Sequence, residues 1–260
     1  MTLAYRIDGA EAGSTLVLSS SLGTTSALWD GQVAALGAEY RIVRYDHPGH
    51  GGSPAPDEPV TIESLATGVG DLLDRLELAR ASFCGLSLGG MVGMALARDA
   101  PERVHRLVLS STAAYLGPPD GWHDRARIVR NGGTAAISEK VLERWFTERY
   151  RREQPARVAT FREMLEAVSR DGYAACCEAI AGWDARVGLD VIRARALVIA
   201  GAEDVATPPD DGAFLADAIP DAELLVLPEA AHLANVGQPE LFNRALLEFL
   251  SGSAGSEEAA

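Results

Sequence analysis

A single serine lies between closely spaced glycines in the segment Gly85–Gly90, which reads Gly-Leu-Ser-Leu-Gly-Gly. A short apolar run precedes this segment and a helical one follows it, so Ser87 falls at a strand–turn–helix junction. Such a sharp turn strains the serine backbone and therefore requires small neighbours. It also exposes the hydroxyl and places the next N–H, that of Leu88, at the start of a helix. Ser87 is a candidate nucleophile and the Leu88 N–H a candidate donor to an oxyanion, although a plain strand–helix loop could carry the same residues.

A serine nucleophile needs a base, and the base needs an acid to orient it. Of the five histidines, only His232 lies near the C-terminus, after the strand-like run 223–227. Asp204 follows another apolar run, 196–200, and a glycine turn. The order Ser87, Asp204, His232 leaves room for strand–helix units between its members, and it predicts a catalytic triad.

Other interpretations of these residues stay open at the level of sequence. A histidine after a strand is often an ordinary loop residue, and Asp204 could simply cap the next helix. Glu203 is a rival acid, but on an extended segment it points to the opposite side from its neighbour. Asp210 and Asp211 are further rivals, although they fall in a predicted first helical turn, where the helix dipole favours acids.

A second oxyanion donor is expected in the polar loop Ser19–Thr25, which follows the apolar run Leu16–Leu18. Counting back from Trp29 puts Leu22 at the donor position. Its main-chain N–H would act together with that of Leu88, so the identity of the side chain matters little. The alternative is a polar turn without a catalytic role.

The composition limits the classes of function. A chain of 260 residues with 47% hydrophobic residues can bury the core of one large domain. The net charge of −14 argues against a nucleic-acid or anionic-membrane partner. No apolar run approaches about 18 residues and no signal peptide is apparent, so we expect a cytoplasmic protein. The three cysteines form no Cys-x-x-Cys pair, which favours a reducing compartment, and neither a metal nor a cofactor is predicted.

Strands and helices alternate in two separate parts of the chain, as in a parallel sheet with helical crossovers. Between them, residues 117–190 contain no convincing strand, and their apolar spacing predicts three or four helices inserted as a cap. We therefore expect an α/β fold, with a mostly parallel sheet, helices on both faces, and a core made of residues 1–116 and 191–250. Residues 251–260 are predicted to be a disordered tail, which could also begin a linker.

The loop Tyr45–Ser53 is rich in glycine but lacks the Gly-Lys-Ser/Thr ending of a phosphate-binding loop. We expect His50 to fix this loop through hydrogen bonds rather than to transfer protons. His47 is a weaker candidate for catalysis than His50.

The serine turn, the late aspartate and the late histidine resemble the α/β-hydrolase superfamily over nearly the whole chain. Within it, the chain resembles the 3-oxoadipate enol-lactonases of aromatic-acid catabolism. The stretches that carry this narrower resemblance are Ser20–Thr24 before Trp29, Arg44–Asp46 with Gly49–Gly51, Gly85–Gly90, Arg144–Phe146, Gly172–Ile180 and Ala230–Asn235. Two departures stand out: Ser20 replaces an asparagine frequent in the family, and His47-Pro48 replaces its usual Thr-Arg.

The resemblance implies a cofactor-free serine hydrolase that opens 3-oxoadipate enol-lactone to 3-oxoadipate. His232 would take the proton of Ser87, and Asp204 would hold the imidazole. The carboxylate of this substrate needs a cationic partner, for which Arg144 is the first choice, with Trp145 beside it either in contact with substrate or part of the cap core. Other arginines of the segment remain rivals: Arg125, Arg127, Arg130 and Arg149.

Two alternatives to this function are kept. The same triad could serve a carboxylesterase or a lactonase of other specificity, which would differ only in the pocket. A hydrolase fold can also act as a ligand receptor with little turnover. In each case the expected partner is a small molecule, and the sequence leaves the oligomeric state open.

Overall fold

A computed structural model of the chain describes residues 1–252. Seven strands form one sheet: β1 (Tyr5–Gly9), β2 (Ser14–Ser19), β3 (Tyr40–Tyr45), β4 (Ala81–Leu86), β5 (Val104–Ser110), β6 (Arg195–Gly201) and β7 (Ala222–Leu227). The α-helices in the described part are α1 (Asp30–Leu36), α2 (Ile62–Arg75), α3 (Leu88–Asp99), α4 (Pro119–Gly132), α5 (Ser138–Trp145), α6 (Glu148–Glu153), α7 (Pro155–Glu166), α8 (Arg170–Ala181), α9 (Pro209–Ala218), α10 (Ala234–Gly237) and α11 (Pro239–Ser251).

The strands are ordered β1-β3-β2-β4-β5-β6-β7 across the sheet. Only β1 is antiparallel to its neighbour, so the predicted mostly parallel α/β sheet is confirmed. The first strand begins at Tyr5. The N–H of Ala4 donates to Ser53 Oγ (2.8 Å) instead of joining the strand ladder.

The centre of the sheet is covered on both faces. Every residue of β4 is buried, and so are the last four residues of β5. Continuous apolar strands of this kind need helices on either side, and α3 packs on β4 and β5 while α2 packs on α3. Thr61 caps α2 through a reciprocal capping box with Ser64.

Residues 117–190, which we call the helical insertion, lie between β5 and β6. They contain five α-helices and a short 3₁₀ helix, Thr134–Ile137, rather than the three or four helices predicted. The extra helix arises because the chain turns extended at Phe146, after which Thr147 caps the six-residue α6 by accepting from the Tyr150 N–H (3.1 Å). The neighbouring helices α4 and α8 pack against each other.

The predicted disordered tail, residues 251–260, falls mostly outside the described residues. The final helix extends to Ser251, the first position of the predicted disordered tail, and residues 253–260 are not described. No helix within residues 1–252 is both long and apolar enough to cross a membrane.

Candidate active site

Ser87 occupies the turn between β4 and α3. Its backbone has φ 58° and ψ −114°, a conformation that costs a non-glycine residue on the order of 1–3 kcal/mol. The flanking glycines allow this turn to form. A Cβ on Gly85 would lie 2.1 Å from the carbonyl oxygen of Gly89, and a Cβ on Gly89 would lie 2.3 Å from that of Ser19. The predicted strand–turn–helix junction is therefore present, and it strains the serine as expected.

The carbonyl of Ser87 fixes the direction of the next N–H. Its oxygen accepts hydrogen bonds from the N–H groups of Gly90 (2.9 Å) and Met91 (3.1 Å) and from the Thr112 hydroxyl (2.8 Å). In a trans peptide the N–H points away from the C=O, so the Leu88 N–H faces the opposite side. This N–H donates to no group within residues 1–252, and it lies at the N-terminus of α3, where the helix dipole favours negative charge.

The Leu22 N–H is oriented in a comparable way. The carbonyl of Ser21 accepts from the N–H (3.1 Å) and the hydroxyl (2.8 Å) of Thr24, which directs the Leu22 N–H away from that turn. Like the N–H of Leu88, it has no hydrogen-bond acceptor in the described chain. Ser21 and Leu22 line the same cavity as Ser87, so this second unpaired amide belongs to the loop that borders the site.

Ser20, which replaces an asparagine frequent in the family that the chain resembles, forms two hydrogen bonds with its side chain. Its hydroxyl accepts from the indole N–H of Trp29 (3.1 Å) and donates to the carbonyl of Thr25 (3.2 Å). A serine at this position therefore still ties the loop to the residues that follow it.

Asp204 and His232 are hydrogen-bonded, with 2.8 Å between Oδ2 and Nδ1. Each residue is at most 5% exposed. The carboxylate also accepts from the Thr207 hydroxyl (2.7 Å) and from the N–H groups of Ala206 (2.8 Å) and Thr207 (3.1 Å). Because a carboxylate only accepts, Nδ1 of His232 carries the proton and Nε2 is left as the basic nitrogen.

The environment of Asp204 favours its ionised form. Burial acts to raise the pKa of this carboxyl, but the charge of His232 and the hydrogen bonds from His232 and Thr207 outweigh burial. The pKa therefore lies below its usual value, and the group is a carboxylate at neutral pH.

The main chain around His232 is held by the helical insertion. The N–H of His232 donates to the carbonyl of Arg144 (3.3 Å), and that of Leu233 donates to the carbonyl of Trp145 (3.1 Å). Ser87 and His232 line one cavity, but no hydrogen bond joins Oγ to Nε2. In unliganded sites such contacts are often long and tighten only with substrate.

The cavity has a volume of about 510 Å³, which suits a small molecule. Ser87 and His232 line the cavity together with residues of the helical insertion, including Trp122, Trp145 and Ile180. Trp145 is 4% exposed and contacts Phe161 edge to face, so it belongs to the core of the insertion and also borders the cavity.

Two of the five candidate arginines of the insertion line the cavity, Arg125 and Arg144. Neither forms an ion pair within residues 1–252. Arg125 bonds to the Tyr173 hydroxyl and lies over the rings of Trp122 and Tyr173, 5.2 and 5.4 Å from their centroids. The other three are neutralised at the surface: Arg127 by Asp124, Arg130 by Glu178, and Arg149 by Glu153 and Glu229.

The rival acids do not contact His232. Glu203 and Asp210 are exposed. Asp211 is half-buried at the cavity, where burial, followed by the charges of Asp204 and Asp210, raises the pKa of its carboxyl.

Two polar residues of the site were not found from the sequence. Thr207 stands three residues after the acid, a spacing that allows its N–H and hydroxyl to bond back to an aspartate and that could have been noticed. Thr112 offers no comparable local signal, and Arg125 was only one of four rivals to Arg144. Within the described residues, no cluster of three or more histidine, cysteine or acidic side chains could hold a metal.

Comparison with known proteins gives consistent results. The profile of the α/β-hydrolase fold family matches residues 14–239. Two proteins of Acinetobacter baylyi are similar over most of their length: 3-oxoadipate enol-lactonase 2, 40% identical over 95% of this chain and 92% of that protein, and 3-oxoadipate enol-lactonase 1, 36% identical over 93% and 90%. The crystal structure of the enol-lactonase from Burkholderia xenovorans LB400 superimposes with a TM-score of 0.93 at 43% identity, covering 96% of both chains.

Proposed function

Since the chain belongs to the α/β-hydrolase family, we propose that it is a serine hydrolase that opens 3-oxoadipate enol-lactone to 3-oxoadipate, a step of aromatic-acid catabolism. The observation that carries the proposal is the combination of a strained serine with a hydrogen-bonded Asp204–His232 pair on one cavity. The similarity to enol-lactonases over at least 95% of the chain supports the choice of substrate.

In the proposed mechanism, Nε2 of His232 takes the proton of the Ser87 hydroxyl, and Oγ adds to the lactone carbonyl. The N–H groups of Leu22 and Leu88 stabilise the oxyanion of the tetrahedral intermediate. Both are already oriented and unpaired, so they need no reorganisation when the charge develops. Asp204 keeps the imidazole in its productive tautomer and stabilises the imidazolium.

Collapse of this intermediate breaks the bond between the carbonyl carbon and the ring oxygen. The ring oxygen leaves as an enolate, which takes up the proton held by the His232 imidazolium and becomes the ketone while still tethered to the acyl-enzyme, so that Nε2 of His232 is basic again. Water then gives its proton to His232 and attacks the acyl carbon. Release of Ser87 yields the second carboxylate of the product.

The helical insertion supplies the substrate contacts in this proposal and acts as a cap over the cavity. The lactone carries one carboxylate, and a carboxylate entering an apolar cavity needs a charge-assisted partner. Arg144, the candidate from sequence, shares this role with Arg125, since both line the cavity and neither forms an ion pair within the described residues. Trp145 contributes an apolar surface against the ring.

A cytoplasmic location completes the proposal. The three cysteines are free and buried, which suits a reducing compartment.

The test compares turnover of the enol-lactone by the wild-type protein, Ser87→Ala and the control Ser14→Ala, which alters an exposed serine at the start of β2. We expect kcat/KM for the lactone to exceed that for p-nitrophenyl acetate. We expect Ser87→Ala to lose roughly 10⁴-fold or more in kcat, and Ser14→Ala to match the wild type.

Each alternative predicts a different result. A preference for the uncharged ester would indicate a carboxylesterase, and a single burst without steady turnover would indicate a receptor. A rate that is insensitive to Ser87→Ala would exclude the mechanism.

A further inference from the structure

Two buried histidines next to the site take no part in the proton transfers described above. His47 and His50 lie in the loop after β3 and are at most 1% exposed. Their rings meet edge to face, with centroids 6.2 Å apart. A ring nitrogen that faces a group able only to accept must carry a proton, and one that faces a group able only to donate must not, so such a contact identifies the tautomer.

His50 connects its own loop to the oxyanion loop, Ser20–Gly23. Its Nδ1 lies 2.9 Å from the carbonyl oxygen of Pro48, which only accepts, so Nδ1 carries the proton. Its Nε2 lies 3.0 Å from the N–H of Gly23, which only donates, so Nε2 is unprotonated. His50 is therefore a hydrogen-bond acceptor for the residue directly after Leu22.

His47 has the opposite tautomer. Its Nε2 lies 2.9 Å from the carbonyl oxygen of Ser20 and must donate to it, while Nδ1 is buried without a hydrogen-bond partner in the described residues. The same carbonyl accepts from the N–H of Gly89 (3.2 Å), on the serine turn. Ser20 and Gly23 are thus held on either side of Leu22, one by each histidine.

We propose that His47 and His50 are positioning residues that hold the oxyanion loop through opposite tautomers, so that the Leu22 N–H faces the tetrahedral intermediate. This inference depends on the proposed role of Leu22, but not on the identity of the ester.

The surroundings of the pair keep both rings uncharged. Burial lowers the pKa of His47 to about 3, helped by His50 and opposed by the Ser20 carbonyl. Burial likewise lowers the pKa of His50 to about 4, against the effects of the Pro48 carbonyl and the charge of Asp46. An uncharged His50 retains the lone pair that accepts from Gly23.

The helical insertion closes over the same loop. The N–H of Ser169 donates to the carbonyl of Gly49 (2.9 Å), and the ring of Tyr173 stacks on that of His50 with centroids 6.4 Å apart and an interplanar angle of 26°. A Cβ on Gly49 would lie 2.4 Å from the Cα of Gly172. The loop with the two histidines is therefore fixed between the oxyanion loop and α8.

The experiment compares His50→Leu, which removes the acceptor, with His50→Gln, whose side-chain oxygen can still accept from Gly23. His105→Leu is the control, because His105 is exposed at the start of β5. Turnover is measured with p-nitrophenyl acetate, so the test remains valid if the lactone is not the substrate.

We expect His50→Leu to lower kcat by about ten- to a hundredfold with little change in KM, since removing one oxyanion donor outright costs about 10²–10³. His50→Gln should recover most of this loss, and His105→Leu should match the wild type. The affinity for phenylboronic acid, which forms a tetrahedral adduct with Ser87, should fall by the same factor as kcat.

A purely structural role would lower the melting temperature without changing kcat or boronate affinity in the folded variant, and this result would overturn the proposal. Equal losses in His50→Gln and His50→Leu would also overturn it. ¹⁵N NMR of the wild-type protein gives a test that needs no variant. It should show unprotonated Nε2 in His50 and unprotonated Nδ1 in His47, and the reverse assignment in either ring would contradict the inference.

Discussion

The core side of the cavity and the side formed by the helical insertion differ in how their charged groups are satisfied. On the core side, the carboxylate of Asp204 accepts four hydrogen bonds, from three residues, and is almost fully buried. On the insertion side, the Arg144 side chain forms no hydrogen bond or ion pair within residues 1–252, and that of Arg125 donates a hydrogen bond only to the Tyr173 hydroxyl. Asp204 therefore has its hydrogen-bond partners without any substrate, whereas the two arginines keep unused hydrogen-bond donors.

This difference separates stabilisation of the transition state from recognition of the substrate. Groups that stabilise charge in the transition state work best when they are already fixed, because no energy is then spent on ordering them during reaction. Groups that recognise a charged substrate must keep free hydrogen-bonding capacity for it. Variants on the core side should therefore lower kcat, and variants in the insertion should raise KM.

The largest effect after loss of the nucleophile is expected for Asp204→Asn. An amide keeps the shape of the side chain but can hold His232 in the wrong tautomer, so kcat should fall roughly 10⁴-fold. KM should change little because Asp204 does not touch the substrate. Asp210→Asn removes the same charge from an exposed neighbour and should leave the rate unaltered. A loss that appears mainly in KM would contradict the separation of tasks.

A smaller effect, a rise in KM for the lactone, is expected for Arg125→Met and Arg144→Ala. Losing a hydrogen bond to a charged group costs about 1.5–3 kcal/mol, equivalent to about a 10- to 150-fold rise in KM for the lactone. Turnover of uncharged p-nitrophenyl acetate should be unchanged. Arg127→Ala is the control, since Arg127 is on α4 but paired with Asp124 at the surface.

The Arg125 and Arg144 variants also resolve which arginine binds the carboxylate. If only one of them raises KM for the lactone, that residue is the main contact. If neither does so, recognition of the carboxylate does not take place on the insertion side of the cavity.

The sequence predicted the parts of the site that depend on local geometry. The serine turn was recognisable because Gly85 and Gly89 are required within two positions of Ser87. The Asp204–His232 contact followed from the strand order, because the carboxyl ends of parallel strands meet at one edge of the sheet. The functional assignment of these residues stays a prediction until the variants are measured.

Contacts between distant segments could not be predicted in this way. The bond from Gly23 to His50 joins residues 27 positions apart, and only the fold shows which nitrogen of the ring it meets. Arg125 could not be separated from Arg127 or Arg130 because the face that a helix turns to a cavity depends on its packing. The number of helices in the insertion was underestimated because α6, with six residues, is too short to show the apolar spacing of a helix.

The smallest effect is expected for Thr207→Val, which removes one hydroxyl donor from Asp204 but leaves two N–H groups and His232. We expect kcat to fall less than about tenfold, and the free energy of unfolding at pH 7 to fall by about 1.5–3 kcal/mol. The hydroxyl stabilises the ionised carboxyl and helps to lower its folded pKa, so this contribution is present above the unfolded pKa of about 3.9 and is lost as pH falls through the folded value. Urea unfolding of both proteins between pH 7 and 3 should therefore show the difference shrinking below about pH 4. In the exposed control Thr160→Val, the difference in unfolding free energy from the wild type should not vary with pH. If the difference for Thr207→Val were also constant with pH, the Thr207 hydroxyl would act only through packing.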